Sequence, residues 1–286
     1  MHLTDLRPSP IAGQWYPGQP AALRAEIDRC LAGVQSPLPD SSQPLVCAVI
    51  VPHAGYLYSG PVAAHAFAWV RGLHPELVVI VSPLHYQHPA RVLTSAHQAY
   101  TTPLGPVEID RDATLLVSEM LGETLGSVLY PLVKDPEHAL EIELPFLQHL
   151  LGLFRLVPIM LRDQSWPTAC AVGDVLAKVL AGKNSLMVAS SDLSHFYPQR
   201  VAKQFDAEML KRIEALDPEG IIKAEEDQVG FACGRGAIAA VLRAARQLGA
   251  TEARVLCHAT SGDVTGDFER VVGYGAAVVL RPSSSE

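Results

Sequence analysis

An α/β domain with a mixed central sheet and helices on both of its faces is the fold class this sequence predicts. Three observations predict it. Short β-branched runs of strand length alternate with longer segments of helical periodicity, the pattern left when helices cross over between strands. Several of those runs are apolar at every position, as in a sheet covered on both sides. Apolar residues fill 49% of the 286 positions and charged residues only 18%, so much of the chain must be hidden from water. No internal repeat, low-complexity block or composition shift marks a boundary, and residues 1–286 read as a single domain.

In chain order, a helix is expected over residues 20–32, and the Ser/Pro-rich stretch 34–43 is a surface connection. A strand follows at Leu45–Val51, then a helix over 61–71 with Ser59 placed to cap it. Strands are expected at 77–81 and 91–95, and a helix over 111–121 capped by Asp110. The periodicity of 137–151 predicts one helix, kinked by Pro145. Next come a strand at Arg155–Leu161, a helix at 167–180, a strand at 185–189 and helices at 199–216 and 236–248. Strands at 253–258 and 271–280 close the fold, and the tail 282–286 is expected to fray.

The net charge of −8, from 30 acidic and 22 basic residues, and the lack of any Lys/Arg run interleaved with aromatics argue against a nucleic-acid partner. The first residues lack the apolar core of a signal peptide, and no run of about 18 uncharged apolar residues follows. A cytoplasmic protein without membrane attachment is expected. Five cysteines, Cys30, Cys47, Cys170, Cys233 and Cys257, show no C-x-x-C spacing, and their odd number argues against a disulfide framework.

Chemistry concentrates where strands end. Three apolar runs lead into ligand-type residues: the first reaches His53, the second His85, the third Asp192 and His195. In open α/β sheets ligands bind just beyond the carboxyl ends of strands. His53 lies in Pro52-His53-Ala54-Gly55-Tyr56, where small residues leave room beside the imidazole; a plain loop histidine is the competing reading. His85 follows Ser82-Pro83-Leu84, and His88 three residues on reads as a solvated loop residue. Asp192 and His195 are three apart, close enough for a carboxylate to hold an imidazole as metal ligand or base, although Ser190, Ser191 and Asp192 are also good helix caps.

Cys233 stands just before a helix and beside Arg235, a setting expected to favour thiolate at neutral pH; the alternative is a packed small hydrophobe. His138 and Glu141, at i and i+3, are expected on one helix face, either turned into a cleft or making surface ion pairs. No G-x-S-x-G elbow, Walker A loop, G-x-G-x-x-G or H-E-x-x-H occurs. Imidazole, thiolate and carboxylate remain, which is a metal-site vocabulary.

Five motifs in order, Pro52-His53-Ala54-Gly55-Tyr56, Ser82-Pro83-Leu84-His85, Glu137-His138-Ala139-Leu140-Glu141, Ser190-Ser191-Asp192-Leu193-Ser194-His195 and Cys233-Gly234-Arg235, together with Gly13-Gln14-Trp15-Tyr16-Pro17, resemble the Memo family over nearly the whole chain. The resemblance implies the fold of class III extradiol dioxygenases, non-haem iron enzymes with two His and one Glu as ligands and a His acid/base. It implies that His53 and His85 take the imidazole positions, that Cys233 replaces the carboxylate, and that His195, with Asp192 as neighbour, takes the acid/base position. His138, Glu141 and Arg235 are expected to stand beside the ligands without binding the metal themselves.

A thiolate is softer than a carboxylate and favours copper or a different iron potential, so dioxygenase activity is not implied. The resemblance also implies an AMMECR-like protein and a radical SAM enzyme as partners, through relatives named system protein B of AmmeMemoRadiSam. The expectation is a redox-type protein with iron or copper, zinc hydrolysis being permitted by the same ligands. A non-catalytic module docking a small molecule, peptide or partner enzyme in the same cleft is the alternative.

Overall fold

The computed structural model describes residues 3–35 and 45–283. Most of the expected connection 34–43 and the last residues of the tail lie outside them. In chain order the strands are β1 (Leu6–Arg7), β2 (Leu45–Val51), β3 (Leu77–Pro83), β4 (Val92–Ser95), β5 (Ala99–Thr102), β6 (Gly105–Glu108), β7 (Tyr130–Leu132), β8 (Arg155–Leu161), β9 (Ser185–Ser190), β10 (His195–Tyr197), β11 (Glu252–Thr260) and β12 (Val271–Arg281). The helices are α1 (Pro20–Leu31), α2 (Tyr56–Phe67), α3 (Arg111–Leu125), α4 (Leu144–Leu151), α5 (Trp166–Leu180), α6 (Gln199–Glu214), α7 (Pro218–Glu226), α8 (Arg235–Gln247) and the single turn α9 (Gly262–Thr265).

Nine strands form a mixed sheet in the order β10-β12-β2-β9-β3-β8-β4-β7, with β11 on β12; β1, β5 and β6 make a small second sheet. The centre, β2-β9-β3-β8, is parallel, and β12, β11 and β10 are antiparallel additions. Side-chain alternation on these strands builds two cores. On β3, Leu77, Val79 and Val81 face one core with α3 and α5 to α8, while Val78 and Ile80 face the other with α1, α2 and α4. Burying each such side chain contributes roughly 1.5–3 kcal/mol, which is why β3 carries no polar residue before Ser82. The α/β class and helices on both faces agree with expectation.

Two helix expectations are corrected. The helix placed at 61–71 begins at Tyr56, and Ser59 is not its cap: it lies in the first turns and donates its hydroxyl to Ala54 O at 2.6 Å. Pro61 therefore sits inside the helix, where the carbonyl it leaves free belongs to the exposed Leu57 and can meet water. The single helix over 137–151 does not form. Residues 137–140 are irregular, Glu141–Glu143 make a 3-10 turn, and α4 starts at Leu144 with Pro145 in its first turn. There the missing N–H costs nothing, so Pro145 starts a helix instead of kinking one. The Asp110 cap is present, accepting from Ala113 N at 2.9 Å.

Candidate metal centre

β2, β9 and β3 are neighbours and end nearly level, with Val51 opposite Ser190 and Val81 opposite Ala189. The segments that leave them carry His53, Asp192 and His85 away from one edge of the sheet. Cys233 arrives from the start of α8, which packs on β2, β3 and β9. Its loop is tied down by Cys233 N to Asp192 O (3.2 Å), Gly234 N to Ser191 Oγ (2.9 Å) and Gln164 Nε2 to Cys233 O (2.6 Å). A Cβ on residue 234 would stand 2.5 Å from Ser190 O, so only glycine permits the approach.

One donor atom from each of His53, His85 and Cys233 lies within 4.8 Å of the others. The Sγ of Cys233 is 3.1 Å from His53 Nε2. On the far side of the ring, His53 Nδ1 is 2.9 Å from Ser190 Oγ. His85 is held the same way: Nδ1 donates to Glu137 Oε1 at 2.9 Å, and its backbone N–H donates to Oε2 at 2.6 Å. With each Nδ1 engaged, both imidazoles turn Nε2 toward the shared space, the arrangement in which an outer carboxylate or hydroxyl orients a metal-binding histidine.

Glu137 also accepts from His138 N and Ala139 N, each at 2.9 Å. Burial alone would raise its pKa, but the His85 hydrogen bonds and the nearby imidazoles outweigh that and hold it at about 2. Behind it, buried Arg7 pairs with Asp135 (2.6 Å) and Glu141 and donates to Glu137 O. Tyr16 donates to Glu141 Oε1 at 2.6 Å. Glu137, Ser190 and Arg7 escaped the sequence reading as site-builders. Glu137 opens a stretch of helical periodicity, Ser190 reads as a helix cap, and nothing in the sequence marks Arg7 as buried.

The expected shared face of His138 and Glu141 is overturned because no helix joins them. His138 faces the centre, its ring 4.8 Å from that of His85, 5.5 Å from His53 and 4.2 Å from Trp15. Glu141 turns away to Arg7 and Ser9. The expectation of an easily formed Cys233 thiolate is overturned as well. Arg235 is paired with Glu225 at 2.8 Å, and burial, reinforced by Asp192, pushes the thiol well above its usual range in the metal-free chain.

Asp192 and His195 line one cavity of about 620 Å³ with His53, His85, His138, Trp15 and Tyr58. They share the cavity, but Asp192 Oδ1 accepts the backbone N–H of His53 at 2.7 Å in place of a His195 ring nitrogen. Burial raises the Asp192 carboxyl. The Nε2 of His195 is buried with no hydrogen-bond partner among the described residues, and burial lowers the pKa of this ring. Burial and the neighbouring His85 hold His53 at about 3, and burial and His53 hold His138 at about 4, so both are neutral at pH 7. His88 stays apart, packed on Tyr130.

No helix among the described residues is long and apolar enough to cross a membrane. The model of the Memo-like protein family matches residues 7–278. A MEMO1 family protein of Methanopyrus kandleri is 38% identical over 282 residues, covering 95% of this chain and 98% of its own. Another, from Methanothermobacter thermautotrophicus, is 38% identical over 276 residues, with 94% and 98% covered. Among solved structures, an uncharacterized protein of Escherichia coli K12 superposes with a TM-score of 0.54 over 82% of this chain and 100% of its own; at 12% identity it shares the fold alone. On the extent of these matches, the chain belongs to the Memo-like protein family.

Proposed function

We propose that this is a metal-binding protein of the redox type, with an iron or copper ion held by His53 Nε2, His85 Nε2 and Cys233 Sγ. The observation that carries the reading is the convergence of these donors within 4.8 Å while each histidine's Nδ1 is already engaged. Two imidazoles and a sulfur suit iron, copper or zinc better than a hard oxygen-seeking cation. The ion, when bound, supplies redox or Lewis-acid chemistry and favours the deprotonated sulfur that the metal-free site disfavours.

The chain's own part is to orient and to move protons. Glu137 aims His85, and Asp192 pins the His53 backbone. His195, kept neutral by burial and with Nε2 unpartnered, is placed to take or return a proton in the cavity. Trp15 and Tyr58 give one side of the cavity an aromatic wall. Cys233 in place of a carboxylate separates this reading from extradiol cleavage.

Anaerobic metal analysis of the purified chain tests it. About one equivalent of iron or copper is expected, with most of it lost in Cys233→Ser and in His53→Ala. Unchanged stoichiometry in both variants overturns the site, and zinc alone at full occupancy moves the reading to hydrolysis. One observation favours a second reading, a module docking a peptide or a partner enzyme such as an AMMECR-like protein or a radical SAM enzyme: Leu57 and Trp15, at the cavity, are 62% and 36% exposed. A stable complex with metal-free protein that Leu57→Asp abolishes would support it.

A further inference from the structure

Three polar atoms crowd the hydroxyl of Ser190 on the buried side of the centre. His53 Nδ1 is 2.9 Å away, Ala139 O is 2.6 Å away and Glu143 Oε1 is 2.8 Å away. A serine hydroxyl carries one proton to give and two lone pairs that accept. The backbone carbonyl of Ala139 can only accept, so it takes the single hydroxyl proton. Both remaining contacts must then be donations to Ser190 Oγ: one from His53 Nδ1–H, the other from a carboxylic O–H on Glu143. Any other assignment leaves two buried acceptors facing each other at hydrogen-bond distance, at a cost of about 1–3 kcal/mol.

We propose that Glu143 is a buried, protonated carboxylic acid that works through Ser190 as a positioning residue, holding His53 as the Nδ1–H tautomer with its Nε2 lone pair aimed at Cys233. The inference rests on the reading of His53 as a metal-facing base and names the device that fixes it. The surroundings agree. Glu143 is 1% exposed, and among the described residues its carboxyl has Ser190 as its one hydrogen-bond partner. Burial and the neighbouring Asp192 both drive its carboxyl toward the neutral form. Neutral Glu143 also avoids setting an unpaired charge beside the Tyr56 ring and the apolar core around α2 and α4.

The test uses the metal-free full chain, so its outcome is separate from whether a metal binds. The infrared difference between wild type and Glu143→Gln at neutral pH is expected to show loss of one protonated carboxyl band; loss of carboxylate bands instead overturns the proposal. Ring ¹⁵N spectra of histidine-labelled wild type, which need no variant to fold, are expected to place the His53 proton on Nδ1, and a proton on Nε2 overturns it. Ser190→Ala is expected to release that preference and mix the tautomers. Glu143→Gln keeps it, because the amide N–H still donates to Ser190 Oγ. If the tautomer is as stated and no metal binds, the metal reading fails and this one stands. If metal binds, Ser190→Ala is expected to weaken it about 10–100-fold.

Discussion

At the scale of single residues, the centre is a set of protonation states imposed by burial. His138, held at about 4, is neutral when folded, whereas an unfolded histidine binds a proton below about 6.5. The unfolded chain thus gains protons first, and the metal-free fold loses stability as pH falls from about 6.5 toward 4, by up to about 1.4 kcal/mol per pH unit for this group. Urea unfolding at several pH values should show a shallower loss for His138→Asn than for wild type, and identical slopes would remove the assignment. Glu137 has the same sign at lower pH: its stabilisation is present above about 4.5 and disappears as pH falls through about 2. Glu137→Gln is expected to weaken metal binding about 10–100-fold by loosening His85, measured by competition with a chelator. His53 and His85 were legible in the sequence because strands ran into them, and Cys233 because it stands just before a helix beside Arg235. Glu137 was not, since a glutamate opening an apolar periodic stretch reads as a helix start.

At the scale of elements, loops do the placing, and two backbone details decide where side chains end. Gly234 lies so close to Ser190 O that Gly234→Ala must move the Cys233 loop. A cost of about 1–3 kcal/mol in urea unfolding is expected, together with loss of metal stoichiometry. Phe196 is different: it adopts φ of 64°, immediately after His195, where the ladder between β10 and β12 shifts register. A left-handed conformation costs an L-residue roughly 1–2 kcal/mol, set against a ring that is 60% exposed and meets the His195 ring at 5.6 Å and the Arg270 guanidinium at 5.5 Å. Phe196→Gly is therefore expected to leave stability unchanged or raise it by up to about 1 kcal/mol, and a loss larger than that would falsify the strain. The failed helix over 137–151 has its reason at this scale too. Its periodicity was genuine from Leu144 onward, but before it Glu137 gives its backbone carbonyl to Arg7, and its carboxylate takes the N–H groups of His85, His138 and Ala139.

At the scale of the whole molecule, the centre is held from two distant parts of the chain at once. Arg7, in the first strand, is buried against Asp135 and Glu141 and reaches the carbonyl of Glu137, while its guanidinium lies 4.6 Å from the Tyr100 ring. Removing one member of such a cluster leaves charge without a partner. Arg7→Met is expected to cost about 3–5 kcal/mol in urea unfolding, well beyond a surface arginine. Loss of metal affinity in the same variant would show that the segment 135–141 carries the strain to His85.

Alternation of apolar runs determined by itself that this chain is α/β, that its parallel centre is covered on both faces, and that ligand-type residues leave the carboxyl ends of strands. These follow from local periodicity, which any nearest-neighbour physics reads. Tertiary structure alone decided that β2, β9 and β3 are adjacent and level, that Glu137 and Ser190 stand behind the two imidazoles, that Glu141 belongs to Arg7, and that Arg235 is taken by Glu225. Strand order and the partners of buried charges depend on contacts between residues far apart in the chain, and periodicity carries no record of those.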